Sequence, residues 1–83
     1  MPIKTRIQRP VVLTLLEGRW CRRGEVAKLL HCLPDQTQHR LLRLASHRYT
    51  VVRFGVGDEQ LFATLQHGWK KRDLLELLAQ LSA

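Results

Sequence analysis

Near residue 48 the spacing of apolar side chains changes period, and this switch limits what the chain can fold into. From Tyr49 to Val56 β-branched and aromatic residues alternate, with Val52, Phe54 and Val56 on one face and Tyr49, Val51 and Arg53 on the other. Gly57, Asp58 and Glu59 mark a turn. Gln60 to Leu65 then returns, Leu61, Ala63 and Leu65 alternating against Gln60, Phe62 and Thr64. The pattern predicts a β-hairpin. Two strands alone are marginally stable, so the short rung Arg19-Trp20-Cys21 is expected as a third strand, with helices covering one face.

Before the switch the spacing is helical. A first helix is predicted from about Pro10, which suits a first turn, to Glu17, with Gly18 as a left-handed stop. A second runs from about Arg23 to His31, with Val26, Ala27, Leu29 and Leu30 as its stripe; Arg22 and Arg23 make a poor cap. A third is expected from Asp35 to His47, opened by a capping box between Asp35 and Gln38. Its outer face collects Gln36, His39, Arg40, Arg43 and His47, free of acid, with Thr37, Leu41, Leu44 and Ala45 behind. After the hairpin and a link at Gln66-His67-Gly68, where Trp69 is expected to pin the link to the core, a last helix from about Lys70 to Leu81 carries Leu74, Leu77, Leu78 and Leu81 on one stripe.

Helix, short strand, helix, helix and hairpin, followed by an amphipathic helix, is the element order of an α+β winged helix-turn-helix domain. In that arrangement the third helix enters the major groove and the hairpin, the wing, lies beside it. The expected division is a basic arm at 1–9 carrying Lys4, Arg6 and Arg9, a winged-helix domain at 10–66, and a link with the C-terminal helix at 67–83.

Charge favours the same partner. Of fourteen Lys and Arg, eleven lie at or before Arg53, against three of the seven acids, so that part of the chain carries +8 of a net charge of +7 and the rest is nearly balanced at −1. Such an imbalance suits a polyanion, here double-stranded DNA. No apolar run is long enough for a membrane span or a secretory signal, so a cytoplasmic chain is expected. Cys21 and Cys32 form no paired motif, and the four histidines lack metal-ligand spacing, so neither a metal nor a cofactor is expected. The acids are scattered, with no nucleophile beside a base and no glycine-rich phosphate loop, which argues against an enzyme.

The segment Arg19-Trp20-Cys21-Arg22-Arg23-Gly24-Glu25-Val26-Ala27-Lys28-Leu29-Leu30, with the helix and hairpin after it, resembles small bacterial winged-helix regulators of the CaiF/GrlA and PapI/FaeA kinds. The resemblance spans about Val11 to Leu65 and departs from the pattern at Arg22, where a small hydroxyl residue is usual, and in its short hairpin. It implies transcriptional control of a small set of genes. Within the DNA reading, Arg40 and Arg43 suit guanine edges and Gln36 an adenine edge; His39 and His47 could reach bases or phosphates. Arg22, Arg23, Lys28 and Arg53 would hold the backbone. Asp58 and Glu59 at the wing tip argue the other way, because phosphate repels them. The alternative is therefore a protein-interaction module docking through the hairpin and the last helix, or a homodimer formed through that helix, with Leu74, Leu77, Leu78 and Leu81 as contacts. Packing of that helix over the first helix of its own chain is the competing use of the stripe.

Overall fold

A computed structural model describes residues 11–82; the basic arm expected at 1–9 and the helix start expected at Pro10 lie outside that range. The elements are α1 (11–15), β1 (Cys21–Arg22), α2 (Arg23–Leu30), a 3-10 turn (Pro34–Gln36), α3 (Thr37–Ala45), β2 (Tyr49–Phe54), β3 (Leu61–Gln66) and α4 (Lys71–Leu81). The fold is α+β, with four helices beside a three-stranded antiparallel sheet in the order β1-β3-β2.

The hairpin pairs in register from Tyr49 with Gln66 to Phe54 with Leu61. β2 stops there because Gly55 turns to φ +83°, which leaves Val56 outside the strand and 83 % exposed. The third strand sits slightly later than expected, with Cys21 opposite Phe62 and Arg22 opposite Leu61. Trp20 precedes it and turns its indole Nε1–H to the carbonyl of Leu77, 2.7 Å away.

Alternation divides the sheet into two covered faces. Phe62 points to one side, into a core with Leu16 of the α1 end, Val26 and Leu30 of α2, and Leu41 and Ala45 of α3; Tyr49 and Val51 flank it. Ala63 and Leu65 point to the other side and meet Leu77 of α4, with Trp20, Val52 and Leu74 around them. The C-terminal helix therefore packs on the sheet rather than over the first helix. One further bond ties it to the chain before β1, and another closes its own first turn. Gln80 Nε2 donates to the Gly18 carbonyl at 2.8 Å, and the Asp73 carboxylate accepts the Lys70 backbone N–H at 2.8 Å, closing the first turn.

β3 also holds the end of α1. Gly18, at φ +68°, ends that segment, Glu17 bridges to Thr64, and the Gly18 and Thr64 backbone N–H groups donate to Thr64 O and Leu16 O, at 2.9 and 3.0 Å. The buried Thr64 hydroxyl then donates to Leu13 O at 2.7 Å, satisfying a carbonyl that so short a helix leaves without a partner.

Three expected helix ends move. The capping box predicted between Asp35 and Gln38 does not form: Pro34–Gln36 makes a 3-10 turn after the extended Leu33, and α3 begins at Thr37 with no side-chain cap. α3 ends at Ala45, because Ser46 takes φ +49° and turns the chain away. Likewise α2 stops at Leu30, where His31 adopts the left-handed conformation and its N–H reaches back to α2 carbonyls. Trp69 lies largely at the surface, and its indole N–H holds the hydroxyl of Thr50 at 3.1 Å rather than entering the core.

Candidate nucleic-acid interface

α3 is the strongly two-sided helix of the domain. Thr37, Leu41 and Ala45 are buried, Leu44 is half-buried, and His39, Arg40 and Arg43 are exposed. Gln36, just before the helix, is exposed as well. Together Gln36, His39, Arg40 and Arg43 line an open depression floored by Leu30 and Leu44, with Asp35 at its rim. A neighbouring depression takes Gln36 and Arg40 again and adds Lys28 and His31 from the end of α2, over Ala27 and Leu33. Two helices thus present one continuous strip of amides, imidazoles and cations.

His31 was not among the residues singled out by sequence. A left-handed helix end is normally marked by glycine or asparagine, and histidine there gives no such signal, yet this cap carries the imidazole to the side of Lys28 and Arg40. Asp35 shows that the strip is not acid-free. It is a single carboxylate at the rim among three flanking cationic or imidazole side chains.

Other expected members are placed elsewhere. His47 follows Ser46 in the turn between α3 and β2, so it is exposed but off the α3 face. Arg22 lies opposite Leu61, whose other cross-strand neighbour Phe54 meets the Trp20 ring with 6.2 Å between centroids; this puts Arg22 on the α4 side of the sheet, away from α3. Arg23 is engaged within the chain: its guanidinium reaches the Asp58 carboxylate at 2.7 Å. That pair draws the tip of the hairpin to the start of α2, helped by the Arg23 backbone N–H donating to Gln60 O at 2.9 Å, and it neutralises one of the two acids at the tip. Arg53 alternates with Tyr49 and Val51, so it projects from the outer strand on the α3 side of the sheet and is exposed. Among the described residues no carboxylate stands within ion-pairing distance of Lys28, Arg40, Arg43 or Arg53.

Of the C-terminal leucines, Leu77 is fully buried and therefore belongs to the core rather than to an intermolecular contact. Leu74 and Leu81 are half-buried, and Leu78 is 44 % exposed.

Cys21 and Cys32 are unpaired thiols. Burial, and then the nearby Glu25 carboxylate, pushes the Cys21 thiol above its ordinary pKa, so it stays protonated near neutrality. No cluster of three or more metal-ligating side chains forms among the described residues, and no described helix is long and apolar enough to cross a membrane.

Comparison with known protein families, with curated proteins and with solved structures finds no match. The resemblance to bacterial winged-helix regulators rests on the residues quoted for it.

Proposed function

We propose that the chain is a DNA-binding transcriptional regulator of winged helix-turn-helix architecture, with α3 lying in the major groove. What carries the reading is the strip on α2 and α3: Lys28, His31, Gln36, His39, Arg40 and Arg43 are all exposed on one surface, while Leu41 and Ala45 of α3 are turned into the core and Leu42 stays exposed. A helix anchored on one side and offering long cations and an amide on the other can reach base edges while its neighbours hold phosphates. The helix order and the strand order β1-β3-β2, with the first strand beside the last, support the winged-helix assignment.

Roles follow from position. Arg40 and Arg43, one turn apart, take guanine edges; Gln36 at the helix start takes adenine. Lys28 and His31 hold the backbone next to α2, and Arg53 does so from the wing. Arg23 acts indirectly, by pinning the wing through Asp58. Duplex titration followed by backbone amide shifts tests the assignment. Shifts centred on Gln36 to Arg43, with Lys28 and His31, are the expected result; shifts centred on α4 would transfer the activity to the opposite side of the sheet.

A further inference from the structure

α4 is more apolar than its own domain needs. One face of a surface helix normally buries an apolar stripe about 100° wide. Here Leu77 is fully buried, Leu74 and Leu81 lie half-buried beside it, and Leu75 and Leu78 remain 52 % and 44 % exposed. At about 100° per residue these five leucines cover roughly 160° of the helix, so the sheet takes only one edge of the arc. The uncovered edge, Leu75 and Leu78, faces away from the sheet and thus away from α3.

Charge says what covers it. Lys70, Lys71 and Arg72 stand at the start of α4, the positive end of the helix dipole, where cations are unfavourable and Asp73 is the one acid that offsets them. The last turn, the negative end, carries no basic residue. Both mismatches are relieved by a second copy of the same helix running in the opposite direction. With Leu75 of one copy opposite Leu78 of the other, Lys71 comes to Ser82 and the terminal carbonyls of the partner helix, twice by symmetry.

We infer that two copies of this chain associate through an antiparallel contact between their α4 helices, with Leu75 and Leu78 at its centre. The pairing stands whether or not α3 reads DNA. Because α4 and α3 lie on opposite faces of the sheet, it leaves both α3 strips open.

Sedimentation velocity of the full chain from about 1 to about 300 µM tests this directly. A reversible monomer–dimer equilibrium is expected. Leu75→Glu combined with Leu78→Glu weakens it by about 100-fold or more, with an unchanged circular dichroism spectrum because both side chains are already half in solvent. A second pair of variants removes dependence on that result. Lys71→Glu weakens the dimer by about tenfold although it suits the helix's own dipole, and adding Ser82→Lys restores it. A parent chain that stays monomeric throughout, a dimer that survives both glutamates, or a Lys71→Glu defect that Ser82→Lys fails to repair would overturn the inference.

Discussion

Two threonines show how differently one residue type can act at full burial. Thr64 and Thr37 are both completely buried. The Thr64 hydroxyl donates to Leu13 O, whereas Thr37 Oγ1 has no hydrogen-bond partner among the described residues. The same substitution should therefore have opposite signs. Thr64→Val strips a buried carbonyl of its donor and should lower unfolding free energy by about 1–2 kcal/mol. Thr37→Val removes an unpaired hydroxyl at the start of α3 and should raise it by about 1 kcal/mol. Urea denaturation of the two variants checks both, and equal signs would contradict the hydrogen-bond assignment. Trp20 gives a third test at this scale: Trp20→Phe keeps a ring beside Phe54 but loses the indole donor to Leu77 O, which should cost about 1 kcal/mol.

At the scale of elements, much of the fold is legible in the sequence, and what is not has local causes. The hairpin can be read because a period of two cannot be mistaken over the six paired residues from Tyr49 to Phe54, and Gly55 and Gly57 fall where positive φ is required. The buried side of α3 can be read for the same reason at helical spacing. Its end cannot. Ser46 breaks the helix at φ +49°, a conformation serine leaves unmarked, so His47 reads as helical when it belongs to a turn. Nor can periodicity say which surface an apolar stripe meets; the leucines of α4 fit the sheet or the first helix equally well until Ala63 and Leu65 are seen beneath Leu77. The site was legible to a similar extent. Gln36, His39, Arg40 and Arg43 come together as their spacing predicts, and His31 joins them through a backbone conformation that no spacing rule encodes. The placement predicts a contrast on DNA. Arg40→Ala should reduce affinity for a specific duplex by about 10-fold or more, while His47→Ala leaves it within about twofold. Fluorescence anisotropy reads both, and equal losses would return His47 to the reading surface.

Across the whole molecule, the sheet separates two chemistries. On the α3 side stand Lys28, His31, Arg40, Arg43 and Arg53 over a core built by three helices. On the other side α4 leaves Leu75 and Leu78 exposed, the edge proposed to meet a second copy. The acidic hairpin tip, which repels phosphate on sequence grounds, is partly neutralised by Arg23 and held against α2, so among the described residues Glu59 is its remaining unpaired acid. Binding by such a surface should be dominated by released counterions and so depend steeply on salt. The most direct measurement of the central claim is the slope of log K against log salt for duplex DNA, taken for the parent chain and for Arg40→Ala combined with Arg43→Ala. A steep negative slope in the parent chain, with affinity for a specific duplex reduced by about 100-fold or more in the double variant while the slope changes little, is the predicted result. An unchanged affinity in the double variant would show that the α3 face does not read DNA.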